Sequence, residues 1–101
     1  TGYLNYEGYN HGITQFRDLA IYNGKHGAIA LFEGSTGNVG IGTSSPTSLL
    51  HLAASTTARA QLRFDPTSAA DPTSPNDGDV WYDGTVLKFR AGGTTRTINW
   101  T

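Results

Sequence analysis

The chain has no cysteine among its 101 residues. That excludes disulfide frameworks and zinc–thiolate centres, two of the ways a small domain compensates for a thin core. Large apolar residues are also scarce. Leu, Ile, Val and Phe together number 20, at the low edge of what sustains a packed interior. Chains so poor in core are often disordered and highly charged, yet the formal net charge is only −1. This near balance excludes the basic surface that nonspecific nucleic-acid binding requires. No apolar run comes near the ~20 residues of a membrane-spanning helix, so no membrane insertion is expected. The opening residues carry no signal-peptide pattern and Thr1 is not a natural start, so the sequence is expected to be part of a longer polypeptide. Association between copies is then the remaining route to stability.

Threonine (14) and glycine (13) dominate instead. Thr suits a pleated surface and Gly marks turns and close backbone approaches, so an all-β chain rich in turns is expected. Residues 1–12 carry Tyr3, Tyr6 and Tyr9 among Gly and Asn and read as an irregular, extended start. Asn23-Gly24 predicts a hairpin turn. Before it, Leu19 and Ile21 share a strand face. After it, Ile29 and Leu31 share one face, with Ala28, Ala30 and Phe32 opposite. A turn at "GSTG" leads into "NVGIG", where Val39 and Ile41 project to one side. Gly40 and Gly42 leave the other side bare for the approach of another backbone. Leu50 and Leu52 fall in register in the next stretch. "ARAQLRF", residues 58–64, alternates cleanly and predicts a half-buried strand with Leu62 and Phe64 on its apolar face.

Residues 65–78 hold three of the four prolines and almost nothing apolar; they read as an extended linker. The expected organisation is therefore a stalk-like β segment over 1–64, a linker over 65–78 and a small β-meander over 79–101. The turns at Asp83-Gly84 and Gly92-Gly93 divide that meander into strands near 79–82, 85–91 and 94–100. Val80 and Tyr82 share one face, Leu87 and Phe89 likewise, and Trp81 lies opposite Val80.

Several of these stretches resemble the modules of bacteriophage tail fibres. "GSTGNVGIGTSSPTSLLHLAAS" is similar to their linker-and-strand unit. "LHLAASTTARAQLRF" and "SPNDGDVWYDGTVLKFRAGGTTRTI" resemble further fibre stretches, and the likeness runs from about Phe16 to Ile98. Nothing matches the self-cleaving chaperone domain that ends many such fibres. The resemblance implies an elongated, intertwined, parallel homotrimer of short strands and Gly-rich turns, ending in the three-stranded meander. Its expected place is a virion tail fibre, extracellular, in contact with other tail or virion proteins and supporting host-cell attachment. The trimer-interface candidates are Ile29, Leu31, Val39, Ile41, Leu50, Leu52, Leu62 and Phe64. With three copies sharing one core, fewer apolar residues per chain suffice.

Two other readings stand beside it. One is a receptor- or glycan-binding tip, a lectin-like adhesin, whose sugar-stacking candidates are Trp81, Tyr82 and Trp100; aromatics serve equally as cross-strand and core residues. The other is a bacterial surface filament sharing the module. No metal or cofactor is expected. His11, His26 and His51 are widely spaced. Asp77, Asp79 and Asp83 lack the spacing of a calcium loop and suit turn chemistry. No catalytic residue is expected either: Glu7 and Glu33 are the only glutamates, each beside a glycine turn, and no serine sits in a nucleophile elbow.

Overall fold

The computed structural model of the chain describes residues 9–10, 13–14, 18–24 and 27–99. Among them every regular element is a strand, with no helix, and therefore none long and apolar enough to cross a membrane. The chain divides into two compact units, Thr1–Gln61 and Leu62–Thr101.

The first unit opens with a short antiparallel ribbon, β1 (Tyr9–Asn10) and β2 (Ile13–Thr14). A four-stranded sheet follows in the order of the chain: β3 (Leu19–Tyr22), β4 (Ala28–Phe32), β5 (Val39–Ile41) and β6 (Leu50–Leu52). The hairpin β3–β4 forms where Asn23-Gly24 predicts it, through a wider loop closed by Asn23 N–H on the Gly27 carbonyl at 3.2 Å. Gly24 supplies a φ of 82°. A register shift at Ile21/Tyr22 places Tyr22 opposite Ala28 and leaves Ile29 as the extra residue of a bulge. At the other end, Asp18 Oδ1 accepts the Gly34 N–H at 2.8 Å.

The last pairing is parallel. Val39, Gly40 and Ile41 lie beside Leu50, His51 and Leu52, bracketed by Val39 N–H on the Leu49 carbonyl and Ala53 N–H on the Ile41 carbonyl. Parallel neighbours need a connection that returns across one face of the sheet. Here it is residues 42–49, without a helix. It lies so close over Gly40 that a Cβ there would sit 2.6 Å from the Thr43 carbonyl oxygen and 3.4 Å from Pro46 Cβ. The Asn38 amide donates to the Pro46 carbonyl at 3.3 Å. Gly42 starts the return with φ 77°. The backbone that comes close to the bare side at Gly40 is the chain's own.

The second unit contains the expected three-stranded antiparallel meander: β7 (Val80–Tyr82), β8 (Leu87–Ala91) and β9 (Thr94–Thr97). Gly92 and Gly93 both take positive φ, 59° and 75°, as a two-residue primed hairpin turn demands. Residues 65–78 belong to this unit and bond to its strands. Gly78 N–H donates to the Arg90 carbonyl at 2.7 Å, and Asp77 Oδ1 accepts the Gly93 N–H at 2.8 Å. The strand expected over 58–64 is absent: the segment is irregular and exposed, with Leu62 at 62%. An alternating pattern sets which way side chains point, but a strand also needs an edge to pair with.

Candidate functional site

The strand register sorts the first unit's residues by face, since directly paired residues project to the same side. One row reads Leu19, Phe32, Val39, Leu50 and the next Ile21, Ala30, Ile41, Leu52. These eight positions carry only hydrocarbon. Half of them stand largely in the open, Ile21 at 53% exposed, Leu50 at 59%, and Phe32 and Ile41 at over two-fifths each, while Leu19, Ala30, Val39 and Leu52 are half-buried. Full burial of such a side chain stabilises by about 1.5–3 kcal/mol, so a large part of that gain is unrealised in a single copy.

The opposite face is the one the 42–49 connection covers. Leu31, beside Gly40, is 6% exposed and is the one large apolar side chain buried among the described residues. Gly40 and Pro46 are buried with it. His51 shares that face, and its Nδ1 accepts the Thr47 N–H at 3.1 Å. The interface candidates therefore separate. Val39, Ile41, Leu50 and Leu52 stand together on the open face. Leu31 alternates to the other side, and Ile29, the unpaired residue of the bulge, is half exposed. Leu62 and Phe64 fall in the second unit and are exposed. Leu19, Ile21, Ala30 and Phe32 complete the open face without having been candidates. Their own alternation was readable, but its alignment with Val39 and Ile41 depends on the register of β4 against β5.

The sheet's β6 edge is blunted. Ser48 Oγ donates to the Leu50 carbonyl at 3.1 Å, and Gln61 Nε2 donates to the Ala53 carbonyl at 2.9 Å and the Leu52 carbonyl at 3.5 Å. Where β4, β5 and β6 adjoin the 53–61 segment lies an open groove of about 690 Å³, lined by Ile29, Ile41, Leu52, Arg59 and Gln61 among others.

The second unit has a polar centre instead. Lys88 Nζ lies 2.8 Å from Asp83 Oδ2 and 2.9 Å from Asp71 Oδ1, and Trp81 Nε1 donates to the same Asp71 oxygen at 2.8 Å. The Lys88 ammonium, with N–H groups of Val86 and Thr85, holds the Asp83 carboxyl at about 2, below the ordinary 3.8. The Trp81 indole, then Lys88, lowers Asp71, and the two carboxylates raise Lys88, Asp83 foremost. Trp81 and Lys88 pair across β7 and β8, while Val80 with Phe89 and Tyr82 with Leu87 occupy the other face. The sugar-stacking candidates Trp81 and Tyr82 thus point to opposite sides of the sheet, and Trp81 has its N–H committed. Trp100 lies outside the described residues, as do His11 and His26.

Asp77, Asp79 and Asp83 serve separate partners: the Gly93 N–H, the Asn76 N–H and Lys88. Among the described residues no three His, Asp or Glu side chains gather as metal ligands do. Lys88 and Asp71 went unnoticed in the sequence. They are 17 residues apart, and only an alternation that places Lys88 beside Trp81 hints at the pairing.

No protein-family model matches the chain, and no curated protein matches it. Among solved structures it is similar to a novel hyaluronidase (Hyal_Sk) from Streptomyces koganeiensis, with 24% identity over 82% of this chain and a TM-score of 0.37. The chain spans 44% of that protein's length. A likeness of this degree carries no argument about the fold or activity of the present chain.

Proposed function

We propose that this chain is a structural, non-catalytic segment of a homotrimeric virion fibre, a phage tail fibre that extends outside the particle and supports attachment to a host cell. One observation carries the reading. The described residues bury a single large apolar side chain, Leu31, and leave Ile21, Phe32, Ile41 and Leu50 of an eight-residue hydrocarbon face largely exposed. Folding must offset about 1–2 kcal/mol of backbone entropy per residue, so an interior this small needs more burial from outside the chain. The resemblance of "GNVGIGTSSP" and "GDVWYDG" to tail-fibre modules supplies the number of copies and their parallel arrangement. Other tail proteins are the expected neighbours above and below, and a host surface glycan is the expected target of the whole appendage.

Sedimentation velocity at micromolar concentration tests the reading. The expected species has the mass of three chains. A stable, compact species of 10.8 kDa, the mass of one chain, overturns it.

A further inference from the structure

We infer that the Asn23-Gly24 step in the β3–β4 hairpin is a self-modification site, where the asparagine amide is lost to solvent and a carboxylate takes its place. The inference stands apart from the trimeric reading and needs no co-reactant but water. In the first step the Gly24 backbone nitrogen gives its proton to solvent base and attacks Asn23 Cγ. A C–N bond forms, the side-chain nitrogen leaves as ammonia, and a cyclic imide joins the two residues. Water then opens the ring. Attack at Cγ leaves aspartate. Attack at the backbone carbonyl leaves isoaspartate, with the chain running through Cγ. Nothing is oxidised or reduced.

Of the six asparagines in the sequence, Asn23 alone is followed by glycine. Without a Cβ, the Gly24 nitrogen can approach Cγ unobstructed. The fold keeps that approach open. Asn23 and Gly24 are both exposed, and a Cβ built on Gly24 would meet nothing within 4 Å. Gly24 takes φ 82° in the loop, beyond the last paired residue of β3. The comparable steps of the chain are closed by hydrogen bonds. At Asp77-Gly78 the nitrogen that would attack donates to the Arg90 carbonyl at 2.7 Å, and Asp77 Oδ1 accepts the Gly93 N–H. At Asp83-Gly84 the carboxylate is held by the Thr85 and Val86 N–H groups and by Lys88. Asn38 precedes a β-branched residue, Val39, whose N–H is committed to the Leu49 carbonyl at 2.8 Å, and its amide donates to Pro46. Asn76 is fixed in a turn, its N–H on Asp79 Oδ2 and its carbonyl on the Asp79 N–H. The conversion also changes its surroundings. Asn23 lines the open groove together with Arg59, the one charged side chain among the described residues that line it. A carboxylate is thereby set into a groove that holds a single cation.

The full chain tests this directly. It is incubated in dilute buffer at neutral to mildly alkaline pH and sampled over days. Peptide mapping by mass spectrometry and isoaspartyl methyltransferase labelling then follow each site. Asn23 is expected to convert at least tenfold faster than Asn38 and Asn76 in the same samples, and faster as pH rises. Its rate in the folded chain is expected to lie within threefold of its rate in the urea-unfolded chain. Asn23→Gln is expected to abolish the acidic species that accumulates on ion exchange, and Gly24→Ala to slow its appearance. If Asn23 stays intact in the folded chain while it converts in urea, the hairpin protects the step and the inference is overturned. Conversion of Asn38 or Asn76 as fast as Asn23 overturns the selectivity argued from the fold. An acidic species that persists in N23Q places the reaction elsewhere and overturns the assignment, whether or not the Gly24 variant folds.

Discussion

The two sheets of this protein address the same shortage in different ways. The four-stranded sheet spends its few large side chains on two rows of one face and closes the other with its own return loop, using glycine to let that loop come near. The three-stranded sheet fastens a proline-rich segment to itself with polar groups: Asp71 on Trp81 and Lys88, Asp77 on the Gly93 N–H, and Gly78 on Arg90. The first arrangement leaves Ile21, Phe32, Ile41 and Leu50 largely exposed. The second is local, built from turn aspartates and one lysine. With so little interior available, a short β chain can be shaped by a small apolar packing or by close-range hydrogen bonds, and the two units of this one differ in which they use most.

The largest expected effect comes from Ile41→Asp. A carboxylate placed without a partner among the apolar rows is expected to cost about 3–5 kcal/mol at a buried interface. Loss of the three-chain species in sedimentation and a lower melting temperature would both report it. An unchanged assembly would remove Ile41 from the contact. Next is Gly40→Val, which sharpens the contrast between the two faces. Its Cβ would meet the Thr43 carbonyl oxygen at 2.6 Å, and overpacking of this kind costs about 1–3 kcal/mol. Trp81 stands on β7 of the second unit. Tryptophan fluorescence should therefore hold its transition in this variant while the far-ultraviolet melt shifts. A joint shift would mean that the two sheets unfold as one.

Gly42→Ala should cost less, about 1–2 kcal/mol, since an L-residue at φ 77° is strained and its methyl group would press on Ala53 Cβ at 3.0 Å. The smallest effect belongs to the polar side of the comparison. The Asp83 carboxyl is held at about 2, below its ordinary 3.8. The depressed value means that its contribution is complete above the unfolded value and is lost as pH falls toward the folded one. Acid titration followed by tryptophan fluorescence should therefore show destabilisation of the second unit between about pH 4 and pH 2. Asp83→Asn should flatten that limb and leave the neutral-pH spectrum nearly unchanged. An unaltered acid limb would show that the Lys88 bridge contributes nothing measurable.

Much of the strand architecture was legible because its signals are local. Gly24, Gly92 and Gly93 take positive φ, and each of the pairs Asn23-Gly24 and Gly92-Gly93 marks a hairpin. The alternation of Leu19 with Ile21, and of Val80 with Tyr82, states which residues share a face whatever they pair with. The parallel pairing of Val39–Ile41 with Leu50–Leu52 was not legible. Short apolar triplets separated by Thr, Ser and Pro read equally well as hairpin partners or as independent strands. "ARAQLRF" misled for the converse reason. Its pattern is clean, but it pairs with no strand, and the β6 edge beside it is occupied by side chains, including its own Gln61. The Lys88 bridge was hidden by distance along the chain, since a carboxylate 17 residues away is chosen by how the intervening prolines turn.

The amino-acid sequence alone determined the β character, the hairpin positions and the orientation of side chains within each strand, because these follow from backbone sterics and a two-residue period that any strand obeys. Only the tertiary structure decided which strands lie side by side. With that it decided which glycine lies beneath a loop and which apolar residues join into one continuous surface. Pairing between distant segments is settled by the joint closure of the chain on itself, and no single stretch encodes it.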